Sequence, residues 1–423
     1  MTTTPRTGRP PYDPVDISSR AFWNGSPEER EKSFAVLRSE RPVSWHPPVE
    51  EALFKEPDDP GLWAVTDIAH IREVSQHPEI FSSSLGVMFE TIPPDLAEMA
   101  HSFLGMDPPK HTRIRKLVSL AFTPKQVARI QEQIRLNAKA IVDNMLEQTG
   151  EFDFMPTVAA PLPMRTVFDM MGVPEQVRND VARRAEMSTG WNDPEIMQLE
   201  GRSLLEVMAE AGAQQHQVAL EMVAARRAEP TDDLMTALLK AEADGERLTD
   251  TDIGAFFVLL AVAGTDTTKQ TAGHAMKALL NFPDQRRWLM EDFDGRIGTA
   301  VEEFVRWASP VMTFRRTAMQ DTVLGGREIK AGDKVVMFYI SGNRDTSVFE
   351  DPHRFDLSRS PNPHVGFGGG GAHFCLGNQL AKAQLRALFS ELLHRAPTLE
   401  LGEPEYLTGN FVNGIKHLPA RIR

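Results

Sequence analysis

The sequence predicts a mainly helical fold with small β-sheets, of the α+β class. Apolar residues recur at three- and four-residue spacing over stretches 126–147, 203–228 and 378–395, which is typical of amphipathic helices. β-Like runs are short and few, near 62–66, 322–329 and 334–340. No long low-complexity linker and no internal repeat divides the 423 residues. We therefore expect one large domain over residues 21–423, preceded by a flexible polar arm at 1–20.

The overall composition excludes two classes of function. A net charge of −13 argues against general nucleic-acid binding, which needs concentrated positive charge. No apolar run reaches the roughly 18 residues that span a bilayer. The first residues are polar and proline-rich and contain no apolar stretch typical of a signal peptide. We expect a cytoplasmic protein with no membrane span.

One predicted helix, over residues 250–280, differs from the others. It contains no proline, and residues 253–264 are apolar on every side, which is typical of a buried helix. Either Thr249 or Asp250 could cap its start. A polar cluster, residues 265–268, interrupts the apolar stretch. Because a buried carboxylate is costly unless it is paired or reactive, this cluster is a candidate site.

The chain has one cysteine, Cys375, which excludes an internal disulfide and a multi-thiolate zinc site. A lone cysteine is usually a small buried hydrophobic residue. This one follows a run of four glycines and precedes a predicted helix. Glycines let the backbone approach a bulky planar cofactor, and amides near a helix start lower a thiol pKa. The run also resembles a phosphate-binding loop, but no Lys-Ser or Lys-Thr follows it.

Residues 367–377 resemble the haem-binding loop of the cytochrome P450 superfamily. Other segments resemble that family's signatures in the family's order: residues 111–115, 263–267, Glu303-x-x-Arg306 and 352–355. The resemblance extends from about Phe22 to the end. It implies a haem b whose iron is bound by the thiolate of Cys375, a ligand that favours O–O cleavage. In one departure, Phe367 precedes the cysteine by eight residues where the family usually has seven.

The resemblance also implies functions for residues outside the loop. Contacts to the haem propionates are expected from His111, Arg115, Arg316 and His373, and further haem-loop contacts from Phe367 and Gly377. His111 and Arg115 lie at i and i+4, hence on one helix face. Arg suits a carboxylate because its planar fork binds bidentately. Neighbouring Arg315 is an alternative to Arg316.

Oxygen chemistry is expected from Asp266 and Thr267, because protons must reach bound oxygen in a nearly dry pocket through a hydroxyl backed by an acid. We expect Gly264 to let the helix approach the haem and Thr267 to disturb the helical hydrogen bonds. Alternatively, Asp266 forms a structural salt bridge. Glu303, Arg306 and Arg354 resemble a buried ion-pair network that supports the fold.

Apolar residues at the family's substrate-recognition positions predict a long, apolar substrate. They are Met88, Phe89, Leu104, Phe257, Leu260, Ala261, Val311, Met312, Phe314, Phe411 and Val412. Residues 301–310, 362–375 and 413–419 resemble actinobacterial members that hydroxylate methyl-branched lipids and sterol side chains. The resemblance implies terminal hydroxylation of a branched-chain fatty acid, alcohol or isoprenoid, using O2. A sterol side-chain hydroxylase is the second hypothesis, and a haem protein that binds gas without catalysis is the third. Asp266 and Thr267 argue against the third.

The chain carries no flavin or iron–sulfur module, so electrons must come from a partner. We expect a small acidic ferredoxin with its reductase, and a monomeric enzyme. A basic docking patch is predicted from Lys110, Arg113, Lys116, Lys125, Lys382 and Arg386. A solvated helix face explains the same residues equally well.

Overall fold

The computed structural model describes residues 9–50, 52, 56, 58–90, 102–121 and 124–423. Helices form about half of this part of the chain, with a short 3-10 turn at Phe103–Gly105 and a π-helical turn at Met155–Ala159. The helices are α1 (Arg20–Asn24), α2 (Pro27–Glu40), α3 (Ile68–Gln76), α4 (Lys110–Leu120), α5 (Pro124–Leu146), α6 (Pro161–Met171), α7 (Glu175–Thr189), α8 (Leu204–Ala228), α9 (Leu234–Lys240), α10 (Asp250–Ala263), α11 (Asp266–Asn281), α12 (Pro283–Glu291), α13 (Phe293–Ala308), α14 (Tyr339–Gly342) and α15 (Asn378–Arg395).

The strands are short and form one larger and several small sheets. They are β1 (Val43–His46), β2 (Leu62–Val65), β3 (Phe81–Ser82), β4 (Glu151–Asp153), β5 (Glu242–Ala243), β6 (Glu246–Arg247), β7 (Thr313–Ala318), β8 (Thr322–Leu324), β9 (Arg327–Ile329), β10 (Lys334–Phe338), β11 (Leu399–Leu401), β12 (Glu405–Tyr406), β13 (Ile415–His417) and β14 (Pro419–Ile422). The larger sheet has the order β1-β2-β10-β7-β3, with β2 and β10 parallel and its other pairs antiparallel.

The predicted helices lie where the apolar spacing indicated. Stretch 203–228 begins at a capping box, in which the Ser203 hydroxyl accepts from Glu206 N and the Glu206 carboxylate accepts from Ser203 N. The predicted strands are also present, although 322–329 forms a hairpin because Gly325 and Gly326 adopt positive φ. Strand β7 was not predicted.

The buried helix is interrupted at residues 264–265, close to the position where Thr267 was expected to disturb its hydrogen bonds. Thr249 caps α10 by accepting from Asp252 N, and all faces of the helix are buried or half-buried near its centre, as predicted. The helix ends at Ala263, and α11 starts at Asp266. The Thr265 hydroxyl donates to the carbonyl of Ala261 at 2.7 Å. Hydroxyls that bond back to the preceding turn favour local bending.

The described part of the expected arm, residues 9–20, is packed and not loose. Ile17 is fully buried, Asp13 N donates to the Trp45 carbonyl at 2.7 Å, and Asp13 pairs with Arg41 at 2.6 Å. The first segment therefore joins the body of the protein well before residue 21. Among the described residues, no helix is both long and apolar enough to cross a membrane.

Candidate active site

The loop that carries Cys375 is fixed by its own backbone and by α3. Cys375 N donates to the Phe367 carbonyl at 3.0 Å, which closes the loop just before α15. Gly368, Gly370 and Gly371 adopt positive φ. A Cβ on Gly371 would lie 2.5 Å from the Ser75 carbonyl oxygen, so side chains are excluded where the loop packs against α3. These glycines therefore allow a turn and a close approach to protein backbone.

The Cys375 sulfur is half-buried and surrounded by groups that favour negative charge. Burial raises the pKa of the thiol, and the Gly377 amide hydrogen bond and the charges of Arg115 and Lys382 oppose that rise. The ring of Phe367 contacts His364 and Phe374, at centroid distances of 5.8 and 6.5 Å. The loop thus presents one thiol beside a helix start.

His111, Arg115, Arg316 and His373 come together next to this loop. The rings of His111 and His373 lie 4.3 Å apart, and neither nitrogen of His111 has a hydrogen-bond partner although both are buried. Burial, together with the charges of Arg316, His111 and Arg115, lowers the pKa of His373 to about 3. No described carboxylate forms an ion pair with any of the four residues.

A group with two carboxylates fits this cluster of four residues. The cluster has buried, unused nitrogens on His111 and His373 and positive charge from Arg316, whose pKa is lowered by burial. Such groups are unfavourable unless an anion pairs with them. The residues present near Cys375 therefore fit a cofactor that bears two carboxylates, as a haem does.

Within the cluster, Arg115 also bonds to the protein itself, and the strand that carries Arg316 distinguishes it from Arg315. Arg115 donates to the carbonyl oxygens of Ala372 and Phe374, at 2.9 and 2.6 Å, and so connects α4 to the haem loop. Arg316 and Arg315 alternate on strand β7, so they face opposite sides of the sheet. The charge of Arg316 acts on His111 and His373, whereas Arg315 acts on Glu90. This arrangement favours Arg316 over Arg315.

Asp266 and Thr267 follow the break between α10 and α11. The Asp266 side chain is buried, accepts a hydrogen bond from the Thr189 hydroxyl, and pairs with Lys269 at 3.2 Å. Lys269 also pairs with Glu186 at 2.9 Å. Although burial opposes it, these two carboxylates raise the pKa of Lys269. The predicted alternative for Asp266, a structural salt bridge, is thus present.

The Thr267 hydroxyl donates to the Ala263 carbonyl at 3.0 Å, at the end of α10. A Cβ on Gly264 would lie 2.8 Å from both the Leu260 carbonyl oxygen and the Val167 side chain, so the glycine lets α10 pack against α6. That Gly264 also lets the helix approach a haem stays a prediction.

Glu303 and Arg306 form a fully buried bidentate pair, with two N···O distances of 2.7 Å. Arg306 also donates to the carbonyls of Asn343 and Pro352, and Glu303 accepts from Asp356 N. The prediction for Arg354 is wrong, because its side chain is exposed and does not pair with Glu303. Arg359 takes that place at 3.4 Å. Its spacing from Glu303 gave no signal for this pairing.

The predicted substrate residues fall into separate groups. Phe314 and Phe411 lie 5.6 Å apart, and Val311 pairs with Val412. Phe89 and Met312 pack with Trp23 and Phe338 in a closed cluster. Two of the predicted α10 residues, Phe257 and Ala261, are likewise buried in a helical core cluster. The remaining predicted residues, Met88, Leu104 and Leu260, are half-buried.

A cavity of about 680 Å³ lies behind Asp266 and was not predicted. Its lining includes Asp266, Lys269 and Glu186 on one side and Lys416 and His417 on the other. None of the predicted substrate residues lines it. The sequence carried one indication of this charged lining. Lys269 is three residues after Asp266 and therefore lies on the same helix face.

The predicted docking patch is divided by ion pairs. Arg113 pairs with Glu246 and Lys116 with Asp244, each at 2.8 Å, across to the β5–β6 hairpin. Lys382 is largely buried and pairs with Glu302. The side chains of Lys110 and Arg386 are exposed, and that of Lys125 lies outside the part of the chain that the structure describes.

Comparison with known proteins gives consistent matches. Residues 62–397 match the family model described as Cytochrome P450. A methyl-branched lipid omega-hydroxylase of Mycobacterium tuberculosis is 42% identical over 412 residues, which cover 97% of this chain and 95% of the relative. A steroid C26-monooxygenase of Mycolicibacterium smegmatis is 39% identical over 394 residues, covering 91% and 89%.

Among solved structures, a Mycobacterium marinum cytochrome P450 in complex with pseudoionone is similar with a TM-score of 0.93. It is 57% identical, and the match covers 98% of this chain and 100% of that one. The predicted fold class is therefore confirmed.

Proposed function

Because this chain belongs to the cytochrome P450 family, we propose that it is a monooxygenase that hydroxylates the terminal carbon of a methyl-branched lipid. The observation that carries the proposal is the 42% identity to a methyl-branched lipid omega-hydroxylase over 97% of the chain. The apolar character of the predicted substrate residues agrees with it. We place the enzyme in the cytoplasm, as a monomer.

A haem fits the residues of the site, and when bound it would supply oxygen binding and activation. Cys375 would hold the iron, and His111, Arg115, Arg316 and His373 would hold the propionates. Arg115 keeps the loop in place through the carbonyls of Ala372 and Phe374. The loop that carries the thiol is therefore fixed to α4 through Arg115, which favours pre-organised binding.

Proton supply is assigned to Asp266 and Thr267. Protons reach this pair through the cavity that Asp266 lines together with Lys269 and Glu186, since the Glu186 side chain is 46% exposed. The Thr267 hydroxyl donates to Ala263, so its lone pairs are free to accept a hydrogen bond from the acid side. To donate in turn, the hydroxyl must rotate away from that carbonyl. The salt bridge of Asp266 and its proton function are compatible, since the bridge holds the acid beside the cavity.

We propose an acidic ferredoxin, served by a reductase, as the electron donor. Support comes from Lys110, Arg113, Lys116 and Arg386, which are exposed on α4 and α15 on either side of the haem loop. These positive groups lie on a chain of net charge −13, so they are the part of this surface that an acidic partner would approach.

A steroid substrate is the second candidate. It is favoured by 39% identity to a steroid C26-monooxygenase over 91% of the chain. Both hypotheses place oxygen at the end of a branched aliphatic chain. They differ in the substrate and not in the reaction, so a comparison of substrate binding separates them.

Spectral titration of the haem-loaded ferric protein tests the choice of substrate. A methyl-branched fatty acid is expected to shift the spectrum of this protein from low to high spin. A cholesterol-derived ketone is expected to bind at least about tenfold more weakly, a difference of roughly 1.4 kcal/mol. Tighter binding of the ketone would favour the steroid hydroxylase.

A further inference from the structure

A small polar cluster that the functions above do not use lies beside the haem loop. Glu302 on α13 pairs with Lys382 of α15 at 2.6 Å and with His364 at 3.1 Å. The side chain of Lys382 is 14% exposed and that of His364 is 4% exposed. Lysine is rarely buried this far unless it is paired. The cluster is therefore part of the packed structure around the loop and not a solvated surface group.

The hydrogen bonds of His364 define the charge of the cluster. Gly366 N donates to His364 Nδ1 at 3.1 Å, so this nitrogen is an acceptor. The proton is therefore on Nε2, which donates to Glu302. The cluster then contains one positive group, Lys382, and one negative group, Glu302. Although burial opposes it, the bonds from His364 and Lys382 lower the pKa of Glu302 to about 2, so it is ionised.

Lys382 is coupled to Cys375 through Phe367. Its ammonium lies over the Phe367 ring, 5.1 Å from the ring centroid. The carbonyl of that same residue accepts from Cys375 N at 3.0 Å. Burial raises the pKa of Cys375, and the charges of Arg115 and Lys382 both oppose that rise. Phe367 is therefore the residue that lies between the ammonium and the cysteine segment.

We propose that Lys382 is a positioning residue for the thiolate: its charge, oriented by Glu302 and by the Phe367 ring, stabilises negative charge at Cys375. A cation near the ligand favours the more electron-rich state of the bound group, so it raises the reduction potential. Glu302 lowers the potential by compensating part of that charge. The pair together sets the potential against which an electron donor must work. The inference rests on the proposed function, since it requires that Cys375 holds the haem.

The test is the midpoint potential of the haem-loaded protein, measured without a redox partner in wild type, K382M, K382R and E302Q. We expect a more negative potential in K382M, because a cation is lost. We expect a more positive one in E302Q, because the remaining cation is uncompensated. K382R should remain close to wild type. R386M is the matched control: it removes one charge from an exposed position on the same helix, and should leave the potential unchanged.

Opposite shifts in K382M and E302Q would support the inference, since a packing defect would move both variants the same way. Shifts in one direction, or a potential in K382M equal to wild type, would overturn it. If K382M binds no haem, the prediction rests on a rise in E302Q and on the constancy of K382R. The Soret band of the ferrous–CO complex distinguishes failure of the proposed function from failure of this inference. If the wild-type band lacks the red shift that a thiolate ligand causes, the proposed function fails. If the variants keep that red shift and their potentials are unchanged, only the inference is overturned.

Discussion

At the scale of single residues, the site combines a fixed ion pair, Glu303–Arg306, with a hydroxyl, that of Thr267, which must rotate. The Glu303–Arg306 pair is fully buried and bidentate, so its function is structural. Thr267 is held by one hydrogen bond to the end of α10, which a small rotation breaks. The two kinds of residue therefore call for different measurements, stability for the first and electron use for the second.

Thr267→Ala should uncouple electron consumption from product formation. Without the hydroxyl, water in less fixed positions would carry the protons that Thr267 is proposed to deliver. Product formed per NAD(P)H consumed should fall by roughly tenfold, less than the ~100-fold typical of a positioned acid–base group because water substitutes. Thr267→Ser keeps the hydroxyl and should retain most of the coupling. Full coupling in Thr267→Ala would remove the proton-supply function.

Glu303→Ala should lose haem and soluble yield. Removing one partner leaves Arg306 buried and unpaired, at a cost of about 3–5 kcal/mol. Arg354→Ala is the matched control, because this arginine is exposed and does not contact Glu303. Thermal unfolding and haem content of both purified variants test the difference. Equal stability of the two variants would contradict the assignment.

At the scale of elements, the sequence predicted features that depend on local patterns. It missed features that depend on contacts between residues far apart in the chain. Amphipathic spacing placed the helices, and the glycine-rich run identified the haem loop. Strand β7 was missed because Arg315 and Arg316 break its apolar alternation, although both are buried. The replacement of Arg354 by Arg359 depends on how residues 352–362 fold against α13. No local pattern carries that information.

The β5–β6 hairpin should reduce docking of an acidic ferredoxin. Asp244 and Glu246 pair with Lys116 and Arg113, and so compete for the same cations. D244N/E246Q should raise the ferredoxin association rate a few-fold at low salt, whereas R113E/K116E should lower it, since charge complementarity acts mainly on association. Stopped-flow reduction at several ionic strengths measures both. Unchanged rates in R113E/K116E would remove the docking patch itself.

At the scale of the whole molecule, residues 190–203 are attached to the C-terminal strands by charges. His417 pairs with Asp153 at 2.7 Å and with Glu195 at 2.9 Å, and Lys416 pairs with Glu195 and Glu405. These contacts lie at the rim of the cavity behind Asp266. Access of solvent to that acid therefore depends on how firmly this segment is held.

The attachment of residues 190–203 to the C-terminal strands should weaken as pH rises. Hydrogen bonds to Asp153 and Glu195 raise the pKa of His417 above 6.5. A raised pKa means that the contribution is complete below the unfolded pKa and is lost as pH rises through the folded one. Because His417 is 42% exposed, its contribution is at most about 1 kcal/mol. Hydrogen exchange in residues 190–203, corrected for intrinsic rates, should show this pH dependence in wild type and lose it in His417→Gln.

The product formed from a methyl-branched fatty acid under ¹⁸O-labelled dioxygen tests the central claim most directly. The haem-loaded enzyme, with a ferredoxin, its reductase and NAD(P)H, should yield an alcohol at the terminal methyl group that carries one labelled oxygen atom. A product that lacks the label, or no oxidised lipid while a steroid side chain is hydroxylated under the same conditions, would contradict the assignment.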